Sequence, residues 1–261
     1  MTKTRREGSL LRDSKTMFVR SMKLSLRSPD AIVMNTFVPA MLMIIFVYVF
    51  GGAMNVGDIS VVNFIVPGII LQCIGQSSPT IAISINNDIT KGVVDRFRSM
   101  PIAKSSLLVG NVLAAILRSI VTITIVIGTA ILVGFRPQAG LAQWFIVIGI
   151  LVMYISMIAW LGVVSGVFSK DSESAAGLMM LVGVLPFLSS GFVPTDTMPL
   201  VLRVFAENQP MTPVINSVRA LLLDQPVPEG ALCAALLWCV GLTVIFYVIA
   251  MYIYNRKVTK A

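Results

Sequence analysis

The chain has 261 residues, of which 56% are hydrophobic, and its 20 Lys and Arg against 12 Asp and Glu give a net charge of +8. This hydrophobic fraction is too high for an ordinary soluble domain, in which about 45–50% of the residues are apolar. The sequence contains no His and no GxxxxGK[ST] segment, which excludes histidine-dependent catalysis and ATP hydrolysis through a P-loop of this chain.

The first predicted element is an amphipathic helix over 9–27. Its apolar positions recur at i, i+4 and i+8 and its basic positions face elsewhere: Phe18, Met22 and Leu26 on one side, and Arg20, Lys23 and Arg27 on the other. Such a helix lies in the plane of the membrane surface, where its cations meet anionic headgroups, and Pro29 ends it. We expect it to contact a cytoplasmic partner as well as lipid. A positively charged anchor without a partner is the alternative.

Six apolar runs follow, and each approaches or exceeds the about 20 residues that a helix needs to cross a hydrocarbon core about 30 Å thick. They cover 31–50, 61–85, 107–135, 141–168, 175–193 and 231–254. The sequence therefore predicts an all-α, multi-pass membrane protein with six transmembrane helices. Its predicted parts are a cytoplasmic segment over 1–30, a transmembrane domain over 31–254 and a cytoplasmic tail over 255–261.

The distribution of basic residues predicts the orientation of these helices. Sixteen of the 20 Lys and Arg lie in the connectors 1–30, 85–106, 169–174 and 255–261. The connectors on the opposite side hold three, which are Arg136, Arg203 and Arg219. Because basic loops are retained in the cytoplasm, we expect both termini inside the cell and the chain in the plasma (inner) membrane.

The connector over 86–101 is predicted to form a short helix with two distinct faces. An apolar stripe recurs every four residues, at Ile89, Val93 and Phe97. Opposite charges lie three or four residues apart, which favours local pairs among Asp88, Lys91, Asp95 and Arg98. The suitable caps are Asn86 or Asn87 at the start and Pro101 at the end. Such a helix, tied to two transmembrane helices, can transmit a movement of a cytosolic domain into the membrane; a solvated interfacial loop is the alternative.

Polar groups inside the predicted transmembrane helices are few. On the second helix they are Asn63, Gln72, Gln76, Ser77 and Ser78. These residues are candidates for lining a substrate path or, alternatively, for hydrogen bonding between helices. No Asp or Glu lies near the centre of a run, although proton- and sodium-coupled transporters usually need a buried ionisable group there. Any transport by this chain is therefore expected to draw its energy from another polypeptide.

The connector over 194–230 contains six prolines and an apolar stretch, 214–223, that is too short to cross the membrane. Prolines on both sides of this stretch divide the connector into short helices. We predict external re-entrant or interfacial helices that cap a central path. An ordered surface loop is the alternative.

Three stretches together resemble the type-2 ATP-binding-cassette (ABC) export permeases, especially the daunorubicin-resistance-type membrane subunits. The first is 88–101 with Leu-Leu-Val-Gly at 107–110, which is similar to the family's acidic-x3-Gly-x2-acidic-Arg-x-Arg-x2-Pro coupling loop. The second is 165–175, followed by Pro186 and by Ser-Gly-Phe-Val-Pro at 190–194. The third resembles the family's external helices and comprises 198–199, 208–213 and 219–222. The order and spacing of the three stretches resemble the family from Met17 to the C-terminus.

The resemblance implies roles for individual residues. The residues implied to couple the chain to an ATPase are Asp88, where the family more often has Glu, and Gly92, Asp95, Arg96, Arg98 and Pro101. The residues implied to form an external gate are Pro194, Asn208, Pro210, Thr212, Pro213 and Arg219, with Gln209 interrupting a common Asn-Pro pair. No catalytic residue, metal ligand or bound cofactor is implied for this chain, which would not itself be an enzyme.

The implied complex contains two permease subunits, which are two copies or one copy and a close homologue. Two cytosolic P-loop ATPase subunits would bind ATP and Mg²⁺ and drive the outward movement of a hydrophobic or amphipathic compound, such as a drug, an antibiotic or a lipid-like molecule. The complex would contact membrane lipid and no nucleic acid. An ATP-independent secondary carrier or channel for small hydrophobic solutes is the alternative, whereas a membrane-embedded enzyme would need convergent polar groups that the sequence does not offer.

Overall fold

A computed structural model describes residues 10–26, 29–52, 54, 59–91 and 105–260. Within these ranges the regular elements are helices, which agrees with the predicted all-α class. In chain order they are α1 (Leu10–Leu26), α2 (Pro29–Ile44), a π-helical turn (Ile45–Val49), α3 (Val61–Thr90), α4 (Ser106–Val133), α5 (Leu141–Phe168), α6 (Ser172–Val184), a 3₁₀ turn (Leu185–Leu188), a 3₁₀ turn (Thr195–Thr197), α7 (Leu200–Asn208), α8 (Met211–Leu222) and α9 (Ala231–Lys260).

Four of the described helices are long and apolar enough to cross a membrane: α3, α4, α5 and the part of α9 over Ala231–Lys257. Two shorter apolar helices, Phe37–Val49 and Ser172–Leu188, coincide with the first and fifth apolar runs of the sequence. The chain is therefore a multi-pass membrane protein with four candidate spans in its described part. The six-helix topology with both termini inside stays a prediction.

Helix α3 lies at the centre of the packed helices. It contacts α2, α4, α5, α6 and α8. Of the residues in its most apolar 18-residue stretch, 78% are buried, against 11% in the corresponding stretch of α9. Its side chains supply much of the apolar core, including Ile65, Ile69 and Ile74. The outer faces of α4 and α9 instead expose large apolar side chains such as Leu132 and Leu237. This distribution is the one expected for helices whose outer faces contact lipid rather than water.

Small residues allow α3 to approach its neighbours closely. A Cβ atom on Gly68 would lie 2.6 Å from the carbonyl oxygen of Gly191, in the turn that follows α6. A Cβ atom on Gly166 of α5 would lie 2.5 Å from the carbonyl oxygen of Ala82. Membrane helices associate largely through such close backbone contact, because lipid gives them little hydrophobic driving force. The position of α3 between α5 and α6 therefore depends on these glycines.

Candidate coupling site at the end of helix α3

A bidentate ion pair joins α1 to the last turns of α3. The two Arg20 guanidinium nitrogens Nη1 and Nη2 donate to the Asp88 oxygens Oδ2 and Oδ1 at 2.9 and 2.6 Å. The side chain of Asp88 is 9% exposed and that of Arg20 is 31% exposed. Asp88 is one of the predicted coupling residues. Arg20 was predicted to lie on the basic side of α1, away from the apolar stripe, and its half-buried side chain there contacts Asp88.

The electrostatics of this pair favour a fixed geometry. The hydrogen bonds from Arg20 to Asp88 raise the pKa of the Arg20 guanidinium, so this guanidinium stays charged at any physiological pH. A planar guanidinium matches both carboxylate oxygens at once, which fixes orientation as well as distance. Lys91, which the sequence offered as a local partner for Asp88, is exposed instead. The pair therefore links two elements that are 68 positions apart in the chain.

A second polar link joins α1, α3 and α4 beside the ion pair. Asn111 of α4 is buried, and its Oδ1 accepts hydrogen bonds from the hydroxyls of Ser21 at 3.1 Å and Ser84 at 3.2 Å. Its Nδ2 donates to the carbonyl oxygen of Leu107 at 3.0 Å. Buried polar groups are costly unless their hydrogen bonds are made. One buried amide thus holds all three helices together.

The face of α1 that packs on α4 differs from the predicted apolar stripe. Phe18 and Met22 are only half-buried, and the side chain of Leu26 lies outside the described residues. The buried positions are Ser14, Met17 and Ser21. A Cβ atom on Gly110 would lie 2.5 Å from the Cβ of Met17. The small residues on both helices admit this close contact, so the packing follows shape rather than the most hydrophobic spacing.

The end of α3 is also tied to α5. Asn86 is buried, and its Nδ2 donates to the carbonyl oxygens of Gly166 at 3.2 Å and Ser169 at 3.0 Å. Ser169 is the residue at which α5 ends. The predicted helix start at Asn86 or Asn87 is wrong, because α3 continues to Thr90 and both residues lie inside it. The last turns of α3 are consequently held on two sides, by α1 with α4 and by α5.

The other predicted coupling residues follow directly after this anchored end. Gly92, Asp95, Arg96, Arg98 and Pro101 lie outside the described residues. The described chain stops at Lys91, one residue after α3, and resumes at Ser105, one residue before α4. The undescribed segment is therefore bracketed by the two helices that Arg20, Asp88 and Asn111 tie to α1.

A buried arginine organises the opposite end of α3. Arg219 of α8 donates from Nε to the carbonyl oxygen of Phe64 at 3.0 Å and from Nη2 to that of Ser190 at 2.6 Å. Its Nη1 donates to Asn216 Oδ1 at 3.1 Å, and its guanidinium lies 3.9 Å from the centroid of the Phe64 ring. Burial lowers the pKa of Arg219 to about 10, which leaves the group protonated at neutral pH. Arg219 thus fastens α8 to α3 and to the turn after α6.

The remaining predicted gate residues are only partly brought into this network. Thr212 donates to the carbonyl oxygen of Ala206 at 2.5 Å and accepts from the Ser190 backbone N–H at 3.4 Å. Pro210 precedes the first residue of α8, and Pro213 lies in the first turn of that helix, where a missing N–H is tolerated. Asn208 bonds only to its own helix, at the carbonyl of Val204, and Pro194 precedes the turn Thr195–Thr197. Arg219 and Thr212 share Ser190, whereas the contacts of Asn208 and Pro194 are local.

The comparisons with known proteins agree with this architecture. The family model described as ABC-2 type transporter matches residues 12–223. The chain belongs to the ABC-2 type transporter family. It is 28% identical over 241 residues to a daunorubicin resistance ABC transporter permease protein of Streptomyces coeruleorubidus, an alignment that covers 91% of this chain and 84% of the relative. It is 26% identical over 195 residues to a probable doxorubicin resistance ABC transporter permease protein of Mycobacterium tuberculosis, covering 75% of this chain and 70% of the relative.

Membership of the ABC-2 family implies association with an ABC ATPase subunit. The matched range begins at Arg12 in α1 and ends just after α8. It therefore includes both the Arg20–Asp88 pair and Arg219. Within the described residues of this ABC-2 permease, no group of three or more Cys, Asp or Glu side chains is placed to hold a metal ion.

The path candidates of this ABC-2 permease do not form a single cluster. Asn63 lies in the first turn of α3, where its Oδ1 accepts from the Arg136 backbone N–H at 3.2 Å. Gln72 is buried in the middle of the helix, and its Oε1 accepts no hydrogen bond from the described residues. Gln76 is half-buried, one turn further along. At 1.5 Å per residue, Asn63 and Gln76 are about 20 Å apart along α3.

The two serine candidates bond to the backbone of their own helix. Ser77 Oγ donates to the carbonyl oxygen of Ile74 at 2.8 Å, and Ser78 Oγ donates to that of Gly75 at 2.6 Å. Pro79 lacks the N–H that would otherwise bond the Gly75 carbonyl. The Ser78 hydroxyl therefore replaces a missing backbone hydrogen bond inside the membrane, where an unsatisfied carbonyl would be costly. Of the five candidates, Gln72 and Gln76 are the two whose side chains form no hydrogen bond with the part of the chain that the structure describes.

Proposed function

We propose that this chain is the membrane-spanning subunit of an ATP-driven exporter that moves a hydrophobic or amphipathic compound out of the cell. The chain would pair with a second permease subunit, and each would dock one separate cytosolic ATPase. Its six transmembrane helices would lie in the plasma membrane with both termini in the cytoplasm. The names of the relatives, which refer to daunorubicin and doxorubicin resistance, support a drug-like substrate class.

The bidentate contact between Arg20 and Asp88 is the observation that carries this proposal. Asp88 is the first residue of the segment that resembles the coupling loop, and its contact with Arg20 joins α1 to the end of α3, the most buried of the four candidate spans. When the two ATPases close on ATP, a force on the coupling loop is delivered to the end of α3 and to α1 together. Because packed helices shift between discrete arrangements rather than bending continuously, α3 would pass the displacement to α5 and α6.

The external network supplies the other half of an alternating-access cycle. Arg219 holds α8 against the far end of α3 at Phe64, about 36 Å from Asp88 at a rise of 1.5 Å per residue. In the proposed cycle this contact keeps the outer end closed until α3 moves. The scarcity of charged groups along the buried part of α3 suits an apolar compound, since an ionic cargo would need compensating charges in the path.

Purification of the tagged chain from native membranes, with ATPase activity measured on the complex, tests the proposal. We expect a stoichiometric P-loop ATPase to co-purify and to show vanadate-sensitive hydrolysis. The variant Asp95→Arg should keep its expression and ATP hydrolysis but lose export. The control Glu229→Arg, at an exposed acid in the turn before α9, should keep ATP hydrolysis and export. Export that persists after ATP depletion, from a chain that binds no ATPase, would favour the ATP-independent carrier. Normal export by Asp95→Arg would contradict the coupling assignment.

A further inference from the structure

An apolar groove of about 580 Å³ runs between α1 and α4 on the outside of the protein. Its walls are formed by Phe18 of α1 and by a row of apolar side chains of α4, which are Val109, Leu113, Leu117 and Ile120. Lys15 is the charged residue among those that line it. Leu113, Leu117 and Ile120 are all exposed, so the groove is open along its length to the surrounding membrane.

The length of the groove matches one leaflet of a bilayer. Its α4 wall extends from Val109 to Ile120, which is about 16 Å at a rise of 1.5 Å per residue. Half of a hydrocarbon core about 30 Å thick is about 15 Å. An acyl chain that enters at the Val109 end would therefore fill the groove and stop near the middle of the bilayer.

The cations beside the groove favour one kind of lipid headgroup. Lys15 and Arg12 are both exposed and lie three residues apart on α1, so they present two cations on the same face of the helix. Met17, two residues after Lys15, packs against Gly110 near the start of α4. Long cationic side chains at such a position keep their stems along apolar surface and their heads in the headgroup layer. The phosphate of a lipid whose headgroup has a net negative charge is the natural counter-ion for these two cations.

A second groove gives an internal comparison. It lies between α4 and α5, has a volume of about 270 Å³ and shares Ile120 with the first. Trp144 and Val147 are among its residues, and none of the described residues that line it carries a charge. The second groove can hold an acyl chain with any headgroup, because nothing on its walls distinguishes an anionic lipid from a zwitterionic one.

We propose that the groove between α1 and α4 is a binding site for an anionic phospholipid of the inner leaflet. One acyl chain lies along α4 from Val109 to Ile120, and the phosphate pairs with Lys15 and Arg12. This inference rests on the topology in the proposed function, in which α1 lies at the cytoplasmic surface. The bound lipid fills the space beside the contact of α1 with α4 and thereby supports the docking of α1 that Arg20 and Asp88 also stabilise.

Photolabelling of the full-length permease in inside-out membrane vesicles tests this site. Phosphatidylglycerol or phosphatidylcholine with a photoreactive group in the acyl chain is added to the exposed cytoplasmic leaflet, and labelled peptides are identified by mass spectrometry. We expect labelling of 109–120 to favour phosphatidylglycerol. Lys15→Gln should lower that preference about fivefold, which corresponds to about 1 kcal/mol for one cation near an anionic lipid. Lys23→Gln, which removes another exposed cation of α1, should not change it.

A second pair of variants tests the groove itself. Leu113→Trp fills the groove and should lower its labelling by both lipids, whereas Leu132→Trp, at an exposed position near the far end of α4, should leave it unchanged. When the probes are added to right-side-out vesicles instead, peptides of the groove between α4 and α5, which continues from Ile120 into the outer leaflet, should be labelled equally by the two lipids. Equal labelling of 109–120 by both lipids would overturn the proposal. So would displacement of the probe by an uncharged amphipathic drug with no effect of Lys15→Gln, which would indicate a cargo site.

The outcome is separable from the proposed function. Labelling needs neither ATP nor an ATPase subunit, so failure of the ATPase to co-purify would leave a positive labelling result standing. Labelling of 109–120 only in right-side-out vesicles would overturn the topology and this proposal with it. An absent headgroup preference in inside-out vesicles would overturn the lipid site and leave the export function untouched.

Discussion

Reversal of the charges of the Arg20–Asp88 pair should reveal how strongly this contact stabilises the protein. Loss of one partner from a fully buried ion pair costs about 3–5 kcal/mol, whereas an exposed pair contributes about 0–1 kcal/mol. Asp88 is 9% exposed and Arg20 is 31% exposed, so this pair falls between the two limits. We expect Arg20→Asp and Asp88→Arg each to cost about 2–3 kcal/mol. The double variant restores opposite charges and should recover at least half of the loss.

Thermal unfolding in detergent and a transport assay on the assembled complex measure the two consequences. A loss of 2–3 kcal/mol corresponds to a Tm lower by about 4–8 °C for a chain of this size. The number of molecules exported per ATP hydrolysed should also fall in each single variant, because the end of α3 is no longer fixed to α1. Both quantities should rise again in the double variant, since the restored pair reconnects the same two helices.

The chain offers a matched control for the charge reversal. Arg203 and Glu207 of α7 also form an ion pair, at 2.8 Å, but their side chains are 46% and 41% exposed and lie on one helix. Reversal of this exposed pair should leave the Tm of the protein essentially unchanged. If the Arg20–Asp88 double variant loses as much as the sum of its two single variants, the contact does not stabilise the protein and the reasoning about its burial is wrong.

Three further substitutions test the packing. Gly110→Val should loosen α1 and speed its cleavage by trypsin, because the new Cβ would lie 2.5 Å from the Cβ of Met17. Trypsin should cleave Gly128→Val at the rate of the unsubstituted protein, because a Cβ there has nothing within 4 Å. Gly68→Ala should cost about 1–3 kcal/mol in thermal stability, because its Cβ would lie 2.6–2.8 Å from the backbone of the facing turn; an equal loss for Gly149→Ala, which has open space, would refute this. Arg219→Lys should lower the stability by about 2–3 kcal/mol, since an ammonium cannot reproduce the planar set of donors; an unchanged Tm would show that the buried contacts are dispensable.

Apolar run length predicts the positions of four long helices directly. The second, third, fourth and sixth runs became α3, α4, α5 and α9, each with an apolar stretch long enough for a membrane. The first and fifth runs contain the described apolar helices Phe37–Val49 and Ser172–Leu188. In the fifth run α6 passes into the 3₁₀ turn Leu185–Leu188, because Pro186 has no N–H to continue the α-helical hydrogen bonding. The π-helical turn that follows α2 has no counterpart in a count of apolar residues.

Sequence spacing finds local pairs but not distant ones. Spacing of three or four residues predicted an ion pair between Asp88 and Lys91, because this spacing identifies only neighbours on the same helix. The partner in the structure is Arg20, which lies 68 positions away and comes close to Asp88 because α1 packs on α4. Gly110 was the available signal, since a glycine in an apolar helix marks a place of close approach. The predicted external residue Arg219 was recognised by resemblance, and its contacts with Phe64 and Ser190 could not be read from spacing.

The two arginines explain why α3 is suited to carry a movement across the membrane. Arg20 fixes one end of the helix through Asp88, and Arg219 fixes the other through the carbonyl oxygen of Phe64. Between them α3 is one continuous helix although it contains Pro67 and Pro79, and the Ser78 hydroxyl donates to the Gly75 carbonyl that Pro79 leaves without a backbone donor. A continuous helix with a charged contact at each end cannot shift at one end alone without straining the other. In the proposed transport cycle, the contacts of Arg219 are therefore the part of the structure that changes when a force at Asp88 opens the outer side.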